Sequence, residues 1–149
     1  MNTRRLILLF ELSLLFYLAL FYDYRFMIEE QTDLFLYTEA YLFSFFETTN
    51  GISALITAFL KQFLRFQYLS WLIPSLVIIA CIELIYAMCN RVTTALIAQT
   101  LSTLSGTILW IYAMWMHSNL IHFVTLMIGL SVCYLVIRII RKTGNKQEV

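Results

Sequence analysis

The 149-residue sequence predicts an all-α integral membrane protein with four transmembrane helices and an amphipathic, interfacial helical segment on the outer face between the first two. Three observations predict it. Hydrophobic residues make up 61% of the chain and charged residues only 13%, where a soluble domain carries about a quarter charged. The apolar residues fall in runs of membrane length, and basic residues alternate in density between the segments that join those runs. A water-soluble fold of this size cannot enclose so much apolar surface, so the surface itself must meet lipid. The net charge of +1 provides no basic face for nucleic acid. Residues 1–149 fit a single membrane domain.

The first run covers residues 6–22, after Arg4 and Arg5. At about 17 residues it is at the lower limit for crossing about 30 Å of hydrocarbon. It contains Glu11 and no A-x-A pattern follows, so it reads as a retained signal anchor and not as a cleaved leader. The second run, 70–88, has Pro74 in its first turn, where a missing N–H is harmless. The third is 94–116 and the fourth 120–140. Only His117, Ser118 and Asn119 separate these two, which therefore form a tight antiparallel pair. Asn90, Arg91 and Val92 give a similar short turn between the second and third. A basic tail, 141–149, closes the chain.

Orientation follows from the basic residues. Arg4, Arg5, Arg91, Arg138, Arg141, Lys142 and Lys146 lie on one side, against Arg25, Lys61 and Arg65 on the other. Both termini and the 90–92 turn are accordingly cytoplasmic, and residues 23–69 lie outside.

That outer segment is too rich in aromatic residues to be a disordered linker. Thr48-Thr49-Asn50-Gly51 punctuates it. Beyond the break, Ile52, Leu55, Ile56, Phe59, Leu60 and Phe63 recur at helical spacing, opposite a polar stripe of Thr57, Lys61 and Arg65. The pattern predicts a helix over 52–66 lying steeply tilted or parallel to the membrane plane at the outer surface, its apolar face on lipid, on the other spans or on both. Phe59 and Phe63 are expected to be buried, and Lys61 and Arg65 to face water or headgroups, as an interfacial docking surface.

The chain resembles the N-terminal membrane region of an uncharacterised family of bacterial multi-pass inner-membrane proteins, a domain of unknown function. The resemblance lies in Tyr22-Asp23-Tyr24 after the first span and in Glu30-Gln31-x-x-Leu34-Phe35-Leu36-Tyr37-Thr38-x-x-Tyr41. It continues in Phe59-Leu60-x-Gln62-Phe63 before the second span and in His117-x-Asn119 late in the chain. It implies the bacterial inner membrane as the location. It implies no reaction, and the relatives continue beyond the membrane region.

Within the spans, Glu11 and Glu83 stand out, because a carboxylate in hydrocarbon is costly and rarely accidental. At about 1.5 Å per residue both lie roughly 8–10 Å from the cytoplasmic ends of their helices. Gln99 falls at a similar depth on the third span, and Arg138 a little nearer the surface on the fourth. These four form a candidate polar layer, whose simplest role is to join the bundle with Arg138 paired to a glutamate. Its alternative role is to bind a proton or cation, and a third reading is that Glu11 or Glu83 merely snorkels to the surface. Ala98, Ser102 and Gly106 give a small-residue face for close helix approach.

Cys81, Cys89 and Cys133 form no C-x-x-C pair and read as small apolar side chains. His117 and His122, five apart across a turn, make a poor metal motif. There is no phosphate loop, H-E-x-x-H or G-x-S-x-G sequence, and no cofactor is expected. The first functional reading is thus a non-enzymatic accessory or scaffold subunit of an inner-membrane assembly, docking through its aromatic outer segment. Its partners would be the lipid bilayer and other membrane subunits, or further copies of itself. The alternatives are a small proton-coupled transporter using Glu11 or Glu83 and, third, a lipid-modifying membrane enzyme.

Overall fold

The computed structural model describes residues 3–21, 35–114 and 119–144. Its helices are α1 (Thr3–Phe21), α2 (Glu39–Phe46), α3 (Gly51–Lys61), α4 (Gln67–Val92), α5 (Ala95–Met114) and α6 (Leu120–Gly144), with a 3-10 turn at Gln62–Arg65 before α4. No strand occurs among the described residues. Three stretches, Tyr68–Val92, Ala95–Met114 and Leu120–Ile140, are long and apolar enough to cross a membrane. Helix α1 has 19 residues but carries Arg4, Arg5 and Glu11.

Helix α4 is the hub, packing against α1, α5 and α6. Its Ile78, Cys81 and Ile82 are fully buried together with Leu14 and Leu18 of α1 and Leu120 and Val124 of α6. The helix starts earlier than the apolar run suggests, at Gln67, so Pro74 lies past the first turn and inside the helix. Proline there removes one backbone hydrogen bond. The next residue, Ser75, turns its hydroxyl onto the Trp71 carbonyl. Helix α4 ends where Thr93 takes an extended conformation, its N–H bonding the Cys89 carbonyl at 2.8 Å.

Helix α1 shows how the sequence pattern becomes packing. Ile7, Glu11, Leu14 and Leu18, spaced four, three and four, form the buried stripe. Leu8, Leu9, Leu12, Phe16 and Leu20 are exposed. An outer surface so apolar is unusual for a protein in water. The buried side of α5 is made of small and polar residues, Ala98, Gln99, Ser102, Gly106 and Ala113. Such residues let helices approach closely where apolar burial alone gives no drive.

Gly106 is where that closeness matters. A Cβ there would lie 2.7 Å from Cε1 of Phe10 and 3.0 Å from Cδ1 of Ile82. Helix α1 therefore sits in the groove between α4 and α5 because position 106 has no side chain. Trp110, one turn on, takes Phe10 and Tyr17 edge-on, with ring centroids 6.0 and 5.1 Å away. On the opposite side, Arg91 donates from Nη2 to the Tyr134 hydroxyl at 2.6 Å, its guanidinium 4.3 Å from the ring centre, and so ties α4 to α6.

Candidate functional site: a carboxyl pair and a helical hairpin

Two features concentrate polar groups against this apolar frame. The first is Glu11. It is 7% exposed within the α1 stripe, and its Oε1 is sealed from solvent without a hydrogen-bond partner. Glu83 of α4 and Arg4 of α1 lie within electrostatic range of it. Phe10 and Ile82 meet at Gly106, and Glu11 and Glu83 follow them on helices that run in opposite directions, so both carboxyls lie near that level. The structure thus brings these two carboxyls together.

It does not bring in the other two members of the sequence-derived layer. Gln99 is buried, but it lies seven residues before Gly106 on α5, about 10 Å nearer the helix start. Its backbone carbonyl accepts hydrogen bonds from the Ser102 and Thr103 hydroxyls, each at 3.0 Å. Arg138 is exposed on α6. Among the described residues no ion pair joins it to either glutamate. A long basic side chain near a helix end reaches outward more cheaply than it enters a packed interior.

The second feature is a hairpin made by α2 and α3, with its turn at Glu47–Asn50. At its open end Tyr37 donates its hydroxyl to Oε1 of Gln62 at 3.0 Å. The Phe35 and Phe59 rings meet edge-on at 6.1 Å. At its closed end the Phe45 carbonyl accepts the Thr48 N–H at 3.1 Å and the Thr48 hydroxyl at 2.8 Å. A Cβ on Gly51 would lie 2.1 Å from the Phe45 carbonyl oxygen. The two limbs touch backbone to backbone, which only glycine permits.

The facing of α3 departs from the sequence expectation at Lys61, Phe59 and Phe63, while Ile56 and Leu60 of the apolar set do pack against the core. Lys61 is 7% and Thr57 3% exposed, whereas Phe59 is 43% and Phe63 36% exposed. The Ser53–Thr57–Lys61 stripe turns toward the rest of the protein, and Ile52, Phe59 and Phe63 turn away. An amphipathic pattern marks two faces without saying which one the protein covers. Assigning the polar face to the outside assumes water there, and hydrocarbon outside inverts the assignment. The side chain of Arg65 lies outside the described residues, as do residues 22–34 with their Glu30-Gln31 motif, His117 and the 145–149 tail.

Helix α3 also lies against α6. Its C-terminal Lys61 shares a cavity of about 230 Å³ with Asn119 and Ile121, at the start of α6. Its N-terminal Gly51 shares one of about 450 Å³ with Thr125 and Gly129. Gly129 is nine residues past Leu120, about 14 Å along α6, close to the middle of the apolar stretch Leu120–Ile140. The hairpin therefore places Thr48, Thr49 and Asn50, all exposed, beside the middle of a membrane-length helix, with the exposed Glu47 next to them in the turn. Sequence reasoning treated these residues only as punctuation. The signal available was the inverted order of a polar turn between two apolar, aromatic limbs each too short to span.

Fold and site together define an all-helical protein with membrane-length helices, a buried Glu11 near a half-buried Glu83 and a helical hairpin laid along the bundle. The chain belongs to a family of unknown function (DUF6057), whose sequence profile matches residues 1–146. No curated protein and no solved structure matches it.

Proposed function

We propose that this chain is a non-enzymatic subunit of a bacterial inner-membrane assembly, crossing the bilayer four times with both termini in the cytoplasm. In this reading α1 is the fourth span: its 19 residues reach about 28 Å, and Arg4 and Arg5 mark its cytoplasmic end. The apolar outer surfaces of all four long helices suit lipid. The hairpin is then re-entrant, entering from the outer side and turning within the hydrocarbon.

The observation that carries the subunit reading is the exposed polar turn Glu47–Asn50 beside Gly129. Irregular backbone and polar side chains at such depth are tolerated where protein or a water-lined cavity covers them, and not against lipid. A neighbouring protein supplies that cover. Co-purification from native membranes in a mild detergent tests this, and a stoichiometric membrane partner is the expected result. A chain recovered alone or only with copies of itself would count against the reading.

Orientation has its own test. A reporter active only in the cytoplasm is expected to work when fused at residue 149 or after Arg91, and to fail when fused after Phe66. Activity at Phe66 would overturn the assignment of sides.

A second reading, a small proton-coupled transporter, is favoured by one specific observation: the sealed, partnerless Oε1 of Glu11 beside Glu83. Intramembrane carboxyls of this kind occur in proton relays. Under that reading Glu11→Gln abolishes transport while the fold survives.

A further inference from the structure

We infer that the furrow between α3 and α6 seats a transmembrane helix of a different protein, which carries small residues on the contacting face and a lysine or arginine that meets Glu47. This rests on the subunit reading above and deepens it by naming the partner's chemistry. The shape comes first. Two adjoining cavities, of about 450 and 600 Å³, share Asn50, Thr125 and Gly129 and run on along α6 to Cys133. From Ile121 to Cys133 the furrow follows α6 for about 18 Å, the length of three helical turns. Its floor is open at Gly129, where an added Cβ would meet nothing within 4 Å. A floor without a side chain lets a second helix approach closely, as small-residue faces do between membrane helices.

The chemistry of the rim selects the occupant. Glu47 lines neither cavity itself but is an exposed acidic residue between the cavity-lining Phe46 and Thr48, and Asn50, at the head of α3, spends no side-chain hydrogen bond on capping its helix. A carboxylate near the bilayer middle calls for a cation at the same depth. A second copy of this chain does not supply one. Copies inserted with the same orientation keep each residue at its own depth. The exposed basic side chains among the described residues, Arg4, Arg5 and Arg138, all lie toward helix ends, Arg138 being about 14 Å beyond Gly129 along α6. Lys61 is buried at the other end of α3. Among the described residues no basic side chain supplies that cation, and the proposal takes it from another polypeptide.

Site-specific photo-crosslinking in native membranes tests the inference with the full chain. A photo-reactive amino acid is placed at Leu126 or at Cys133, both exposed on the furrow wall, and at Ile108 on α5 as a control. The expected result is one protein adduct from 126 and 133 and none from 108. Mass spectrometry of the crosslinked peptide should place it in a transmembrane helix bearing Lys or Arg. Glu47→Lys should reduce the adduct at least tenfold, while Glu47→Gln, which keeps hydrogen bonding, should retain a substantial fraction.

An adduct of the chain with itself would overturn the inference, as would lipid adducts alone or a yield indifferent to Glu47→Lys. If a partner co-purifies but 126 and 133 do not crosslink to it, the furrow assignment falls and the subunit reading stands. If no partner co-purifies and no protein crosslinks, both fall.

Discussion

Replacing Gly51 by alanine is expected to open the α2–α3 hairpin and to lower stability in detergent more than any other single-methyl addition in the bundle. The new Cβ would stand 2.1 Å from the Phe45 carbonyl oxygen and 2.9 Å from its carbon. Those are backbone atoms, which cannot rotate aside as a side-chain tip can. Overpacking costs about 1–3 kcal/mol where neighbours can adjust, so this site belongs at the upper end or above. The turn bonds from Thr48 to Phe45 would be lost with it. Gly129→Ala is the matched control, because nothing lies within 4 Å of its added methyl. Thermal unfolding of the two variants should differ clearly, with Gly129→Ala within about 0.5 kcal/mol of the parent, as for other surface changes. Equal behaviour would mean that the limbs do not touch at Gly51.

The second large effect is expected at Glu11 and has the opposite sign. Its Oε1 is buried without a partner, between Ile7 and Leu14 on the packed stripe of α1. A buried polar atom left unsatisfied costs about 1–3 kcal/mol, and an apolar residue of similar size removes that cost. Glu11→Leu is therefore expected to raise the unfolding temperature, and Glu11→Gln to do so less, since an amide leaves buried polar atoms in place. Had Arg138 met Glu11, as the sequence suggests, removing one partner would instead cost about 3–5 kcal/mol. The exposure of Arg138 reverses the expected sign. A clear loss of stability in Glu11→Leu would show that the carboxyl is held by an interaction the orphaned oxygen does not reveal. A variant that is more stable yet inactive in cells would assign Glu11 to function and favour the transporter reading.

The hairpin marks where sequence reading succeeded and where it stopped. The break at Thr48–Gly51 and the helix that follows it were both legible, from turn residues and helical spacing. So was the inward small face of α5, because Ala98, Ser102 and Gly106 repeat every four residues. The direction of Lys61 was not legible. Periodicity is a property of the chain alone, whereas inside and outside are set by what lies on each side of the helix. The pairing of Glu11 with Glu83 could be guessed from depth counting, but the same counting also drew in Gln99 and Arg138. Counting from helix ends assumes level ends, and α1 is displaced along α5 so that Phe10 meets Gly106.

What the sequence by itself determined is the helical class, the membrane-length apolar helices and the family, because composition, run length and spacing are local quantities written along the chain. Tertiary structure decided which face of α3 is covered, which polar residues lie near one another and where along α6 the hairpin turn lies. Each of those depends on how one helix is shifted and rotated against another. That shift is set by contacts between residues far apart in sequence, such as Phe10 and Ile82 on Gly106, whose fit is a matter of tenths of an ångström in three dimensions.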